Sequence, residues 1–208
     1  AIRGLDPRFP AAGGTLDQVA GALFGVIALI TIVLFVILVR GFFRRNALPD
    51  HPHLRSAVRY GVAAIAFAFG TGIVMSVLRT RIVAETGSLM PMHAAGFHGL
   101  QAVPLVALLV GWSALAPDTR MRLTHLAGIG WLVLCAGLLW QALAGLPFRS
   151  LSLPGAVATS GFALWSGCVI AALIAHRQRK TDVYAHDCVH VDDHAVRPPV
   201  PGRQGDPT

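Results

Sequence analysis

Val19-AGALFGVIALITIVLFVIL-Val39 is a run of 21 residues without a single charge. A helix rises ~1.5 Å per residue, so a helix of this length crosses the ~30 Å hydrocarbon core of a bilayer. Four more uncharged stretches of similar length follow, at residues 60–78, 94–116, 123–148 and 150–175. The sequence therefore predicts an all-α integral membrane bundle of five transmembrane helices.

The composition agrees with a membrane protein and argues against a nucleic-acid partner. Only 13% of the 208 residues are charged, against about 25% in a typical soluble domain, and the mean hydropathy is +0.62. The net charge is +7, but the arginines cluster at the ends of the predicted spans, as topology signals do. The predicted partner is the lipid bilayer, with no role in binding nucleic acid.

The basic residues also predict the orientation of the bundle. Ten flank the spans on one side of the membrane and five on the other, and the more basic side is normally cytoplasmic. We therefore expect an N-terminus outside (residues 1–18), the bundle at 19–176, and a cytoplasmic, disordered His/Pro-rich tail at 177–208, in a bacterial inner membrane. The ten are Arg40, Arg44, Arg45, Arg55, Arg59, Arg120, Arg122, Arg177, Arg179 and Lys180; the five are Arg3, Arg8, Arg79, Arg81 and Arg149.

Small residues are frequent in the spans. Gly21 and Gly25 form a GxxxG step in the first span, and the second span is rich in Ala and Gly. Small side chains let helix backbones approach closely in lipid. Ordinary packing within the bundle explains this pattern, and dimerisation through Gly21 and Gly25 is the alternative.

The most specific stretch leads from a predicted outer loop into the third span and reads Gly87-SLMPMHAAGFHGL-Gln101. His98 and Gln101 are three residues apart and therefore share one face of a helix. His93 stands at the entry to the span. Polar groups at membrane depth are costly and usually face protein or water, so we expect an outer-face pocket lined by His93, His98 and Gln101.

Methionines near these histidines predict a soft ligand set. Met90 and Met92 flank Pro91 just before His93, and thioether with imidazole suits Cu(I). A copper site of Met90, Met92, His93 and His98 is one hypothesis. Haem b with His98 and Met75 as axial ligands is another. In the plainer interpretation the methionines fill gaps and the histidines lie at the interface.

Other residues with metal-binding or catalytic chemistry give weaker signals. The tail carries His186, Cys188, His190 and His194, which could chelate zinc or nickel, but their spacing matches no closed zinc module. His125 near the start of the fourth span is either a proton relay or an interface residue. Cys135 and Cys168 fall inside spans and are interpreted as small buried hydrophobes.

Several motifs of enzymes and transporters are missing from the sequence. It has no phosphate-binding loop, no H-E-x-x-H and no G-x-S-x-G motif. No predicted span carries an internal Asp, Glu or Lys, which most proton pumps and secondary transporters need. An enzyme that uses His98 as acid or base stays open, but no nucleophile is paired with it in the sequence, so a non-enzymatic role is favoured.

The stretch from Gly87 to Gln101 resembles the signature of a family of uncharacterised bacterial multi-span membrane proteins, G-D-L-R-V-P-H-F-V-G-L-H-A-L-Q. The chain departs from it at Ser88 and Met90, where the signature has Asp and Arg, so an ion-pair role for that pair does not carry over. The resemblance implies that the two histidines and the glutamine belong to a shared motif, and it implies no substrate. The matches, in register over about fifteen residues, are Gly87, Leu89, His93, Gly96, His98, Leu100 and Gln101.

Two classes of function therefore compete. The first is a ligand-binding membrane protein that holds a soft metal or haem, which requires His93, His98 and the methionines to converge. The second is an accessory or scaffold subunit of a larger membrane complex, with no cofactor of its own. That role requires wide faces left uncovered within the monomer.

Overall fold

The computed structural model describes the backbone of residues 14–44 and 47–195, and side chains as far as residue 179. Five helices in these residues are long and apolar enough to cross a membrane, which confirms the predicted α-helical, multi-span class. The elements are α1 (Thr15–Val39), a short 3-10 helix (Arg40–Phe43), α2 (Pro52–Leu78), β1 (Ile82–Val83), β2 (Gly87–Ser88), α3 (Met90–Gly111), α4 (Pro117–Leu143) and α5 (Leu153–Ala195). The two short strands form an antiparallel hairpin.

Prolines decide where three of the helices begin. Pro52, Pro91 and Pro117 occupy the first turns of α2, α3 and α4, where a missing N–H costs nothing because that donor has no partner in the helix. As a result α3 begins four residues and ends five residues before the predicted span 94–116. α4 begins and ends earlier than the predicted span 123–148 as well. The predicted spans were defined by the absence of charged residues, and that criterion did not locate the ends of these helices.

The two ends of the chain differ from the sequence-based expectation. Residues 1–13 of the predicted external segment lie outside the described residues, and α1 already begins at Thr15. At the other end α5 continues to Ala195, through much of the tail predicted to be disordered from residue 177. The physical reason is that no Gly or Pro interrupts the chain between Gly167 and Pro198, so nothing breaks the helix.

Helix α1 stands at the edge of the bundle. Val39 is its one buried residue. The ring of Phe35 meets that of Phe69 on α2 with centroids 5.4 Å apart, and Arg59 Nε donates to the carbonyl oxygen of Phe42 at 3.0 Å. The rest of α1 is available to lipid or to another protein.

Glycine brings α2 and α3 into close contact. A Cβ atom added to Gly96 would lie 2.7 Å from both the carbonyl oxygen of Ala64 and the Cβ of Ala68. One added to Gly99 would collide with the Cβ of Ala64. Ala64 and Ala68 are completely buried, so the predicted role of small residues in packing applies to this pair of helices.

The α4–α5 pair packs in the same way. A Cβ on Gly130 would lie 2.9 Å from the carbonyl oxygen of Gly161, and one on Gly137 would lie 2.5 Å from the backbone nitrogen of Ala158. Helix α3 is held against this pair by two indole groups. Trp131 Nε1 on α4 donates to the oxygen of Ala95 at 3.0 Å, and a tryptophan of α5, Trp165, donates to that of Ala102 at 3.1 Å. Both bonds fix the rotation of α3 about its own axis.

We predict that Gly96→Ala lowers the free energy of unfolding by about 1–3 kcal/mol, because the new methyl group forces two helix backbones apart. The measurement is reversible unfolding of the purified protein in detergent. Gly70→Ala is the matched control, since a Cβ at Gly70 meets nothing within 4 Å and alanine favours helix. Equal stability of the two variants would contradict the packing described for α2 and α3.

Candidate functional site

His93 is held in the groove between α3 and α2. Its Nδ1 lies 2.9 Å from the carbonyl oxygen of Ala68 and 3.4 Å from Thr71 Oγ1. A carbonyl oxygen only accepts hydrogen bonds, so Nδ1 carries the proton and Nε2 is the basic nitrogen. The imidazole is therefore fixed in one tautomer by the backbone of the neighbouring helix.

The imidazole of His93 packs between the backbone of Gly72 and the ring of Phe97. A Cβ added to Gly72 would lie 3.0 Å from His93 Cε1, so the imidazole rests directly against the backbone of α2. On the other side it meets Phe97 edge to face, with ring centroids 4.9 Å apart. His93 is thus a half-buried, packed histidine, and its Nε2 has no hydrogen-bond partner among the described residues.

His98 and Gln101 form a separate pair on the opposite, exposed side of α3. His98 Nδ1 lies 2.9 Å from Gln101 Oε1, and both residues are exposed. With the amide oxygen as acceptor, Nδ1 of His98 is again the donor and Nε2 is left open. The glutamine thus orients the imidazole towards the surroundings of the bundle.

The depth of this pair follows from the true bounds of α3. The helix runs from Met90 to Gly111, about 33 Å at ~1.5 Å per residue. His98 and Gln101 lie about 12 and 17 Å along it by the same arithmetic, which is the middle of a span and not the outer surface expected from the sequence. The polar pair therefore lies near the middle of a helix that is long and apolar enough to cross a membrane.

The predicted pocket of histidines does not form within α3. Five residues separate His93 from His98, which turns their side chains about 140° apart around the helix. Among the residues whose side chains the structure describes, no three His, Cys, Asp or Glu side chains are grouped closely enough to hold a metal ion. Each histidine has its own environment.

The methionines of the predicted copper and haem sites do not lie beside His98 either. Met92 is completely buried in the apolar core between α2, α3 and α4. Met90 packs against a second cluster that contains Met75 and Leu89, beneath the hairpin. The proposed haem ligand Met75 thus lies at the hairpin end, while His98 lies in mid-span, and the plainer role of gap filling describes all three methionines.

The remaining candidates are dispersed. His125 Nδ1 meets the hydroxyl of Tyr60 at 3.1 Å near the arginine-rich end, and Cys135 and Cys168 are buried free thiols. A Cβ on Gly25 would meet nothing within 4 Å, so this glycine of the GxxxG step is uncovered. Side chains of the tail set lie outside the described residues: His186, Cys188, His190 and His194.

The structure adds a feature that the motif by itself did not reveal. His98 and Gln101 belong to an exposed stripe along α3, here called the α3 stripe, with a 4-3-4-3 spacing. That spacing is the heptad pattern by which helices pack against one another. The spacing of these five residues can be read from the sequence, but their exposure cannot. In a span that is apolar on every side, the sequence does not indicate which face is exposed. The stripe consists of Ala94, His98, Gln101, Leu105 and Leu108.

Comparison with known proteins does not assign the chain to a family or a function. The chain matches no protein-family model, no curated protein and no solved structure at a significant level. Its function is therefore argued from the geometry of α3 and the surfaces around it.

Proposed function

We propose that the protein is an accessory subunit of a larger membrane complex and that the α3 stripe is the surface on which it binds a transmembrane helix of a partner. The observation that carries this proposal is the exposure of His98 and Gln101 in the middle of a span. Lipid tails offer no hydrogen bonds, so unsatisfied polar groups that face them are costly.

The hydrogen bond between His98 and Gln101 satisfies only some of the polar atoms of these two side chains. His98 Nε2 and the amide nitrogen of Gln101 have no hydrogen-bond partner among the described residues. A hydroxyl, an amide or a backbone carbonyl on a neighbouring helix would satisfy them. Hydrogen bonds of this kind between transmembrane helices contribute about 0.6–2 kcal/mol each.

The rest of the α3 stripe fits a helical partner. Leu105 and Leu108 continue it with exposed apolar side chains, and Ala94 is small enough to allow a close approach. A helix that crosses at a shallow angle would cover the whole stripe, with the polar pair fixing its register, as a single polar position does in coiled coils.

Helix α1 provides a second uncovered surface. It contacts the bundle mainly through Phe35 and its C-terminal end, and its GxxxG step at Gly21 and Gly25 suits another small-residue helix or a second copy of the chain. Membership of the multi-span family with the G-x-L-x3-H-x2-G-x-H-x-L-Q signature is part of the same proposal, supported by its matches on α3.

A photo-reactive amino acid at Leu105 is expected to give one defined adduct with a partner protein in native membranes. The same probe at Ile129 on α4 is the control, because the two side chains are equally exposed, at 45% and 46%. Replacing His98 and Gln101 together by leucine should abolish the adduct while the protein still inserts. Adducts of equal yield at both positions, or an adduct that survives the double substitution, would contradict docking through the α3 stripe.

A soft metal or haem is the second candidate, and one observation favours it. Both His93 and His98 have Nδ1 engaged and Nε2 open, which is how ligating histidines are usually oriented. Copper, or haem b between His98 and a ligand from another chain, fits this arrangement. An enzymatic role is not proposed.

This second candidate predicts a Soret band, or stoichiometric copper, in protein purified without an affinity tag. The signal should disappear in His98→Ala and persist in a chain that ends at Lys180, since the tail histidines would then be irrelevant. Absorption spectra and metal analysis by mass spectrometry measure both quantities. A colourless, metal-free protein would remove this candidate and leave the accessory-subunit proposal standing.

The proposed setting is a bacterial cytoplasmic membrane with the N-terminus outside. It is supported by the excess of basic residues at the end of the bundle that holds Arg59 and Arg120. A fluorescent protein fused after Thr208 should fluoresce, and alkaline phosphatase fused there should be inactive. The opposite pattern would reverse the orientation.

A further inference from the structure

A groove runs between α4 and α5 at the end of the bundle near the 144–152 loop. The volume of this open groove is about 820 Å³. Near the loop its lining is polar, with Gln141, Arg149 and Ser152. Further along the helices it is mostly apolar, with Leu138 and Phe162, although Thr159 and Ser160 also line it. Phe162 lies nine residues along α5, so the groove extends about 14 Å from the loop into the span.

Gln141 is the polar side chain built into the wall of the groove. It is only 3% exposed, and its amide nitrogen donates to the carbonyl oxygens of Pro147 at 2.8 Å and Phe148 at 3.1 Å. These two acceptors fix the orientation of the amide, because its oxygen cannot bond to carbonyls.

The oxygen of Gln141 is consequently turned towards the groove. It lies 3.4 Å from where a Cβ of Gly155 would be, and Gly155 also lines the groove. No described residue donates a hydrogen bond to this oxygen. An amide oxygen at the groove can accept a hydrogen bond, so a ligand that brings a donor would be favoured at this point.

Arg149 adds a positive charge at the mouth of the groove. It is exposed, and within the described residues its guanidinium makes no hydrogen bond or ion pair. An arginine at the boundary between span and loop lies at the level of lipid headgroups, where it can pair bidentately with phosphate. The groove therefore presents a cation, a hydrogen-bond acceptor and a mostly apolar channel.

We propose that this groove binds an anionic phospholipid with a hydroxylated headgroup, of the phosphatidylglycerol type. Arg149 pairs with the phosphate, Gln141 Oε1 accepts a hydrogen bond from a headgroup hydroxyl, and one acyl chain lies along Leu138 and Phe162. A choline headgroup has no donor for Gln141, and inorganic phosphate would leave the apolar channel empty. Charge, hydrogen bonding and shape thus favour one class of ligand.

Native mass spectrometry of the full-length, detergent-purified protein tests the proposal, with phosphatidylglycerol, phosphatidylcholine or inorganic phosphate added. Phosphatidylglycerol should be retained preferentially at one molecule per chain. Arg149→Gln should weaken its binding about tenfold, as expected for one charge-assisted bond, while Arg81→Gln, an exposed arginine outside the groove, should not.

A second pair of variants tests the channel without removing charge. Ala163 is exposed and lines the groove, whereas Ala171 is exposed on the same helix outside it. Ala163→Phe should reduce lipid retention and Ala171→Phe should leave it unchanged. Equal retention of phosphatidylcholine, unchanged binding by Arg149→Gln, or displacement of the lipid by inorganic phosphate would each overturn the proposal.

Discussion

Close contact between helix backbones is the constraint on which the rest of this structure depends. In lipid there is no hydrophobic force that drives one apolar helix against another, so helices associate through van der Waals packing and hydrogen bonds. Gly96 and Gly99 supply that contact between α2 and α3, and Gly130 and Gly137 supply it between α4 and α5. Larger residues at these positions would separate the helices and remove the attraction.

The same contacts set the rotation of α3, and the rotation decides what its histidines can do. With Gly96 turned towards α2 and the oxygens of Ala95 and Ala102 engaged by indoles, His93 must face protein and His98 must face outwards. One motif thus supplies a packed histidine and a surface histidine. Both have Nδ1 bonded, but only His98 is placed to meet another molecule in the plane of the membrane.

The two surfaces proposed for binding share no residue. The α3 stripe carries a polar pair near the middle of its helix, while the α4–α5 groove begins at Arg149 beside a loop and extends along the two helices. A partner helix on the first and a phospholipid in the second are compatible in one protein. On each surface, polar atoms have no hydrogen-bond partner within the described part of the chain, and lipid tails would offer them none.

The sequence by itself determined that the chain is helical, that five segments are long and apolar enough to cross a membrane, and which of them carries the His98 and Gln101 side chains. Those properties follow from the hydrophobicity and spacing of neighbouring residues, which are local. It also predicted one outer pocket of His93, His98 and Gln101, whereas in the structure the two histidines have separate hydrogen-bond partners.

Only the tertiary structure decided which face of each helix is covered. In a span that is apolar all round, periodicity gives no direction, so the separation of His93 from His98 and the opening of Gln101 to the bilayer were not predictable. The role of Gln141 was hidden for the same reason, since its acceptors, Pro147 and Phe148, lie in a loop that folds back over α4. Such facts depend on contacts between distant parts of the chain, and a linear pattern does not encode them.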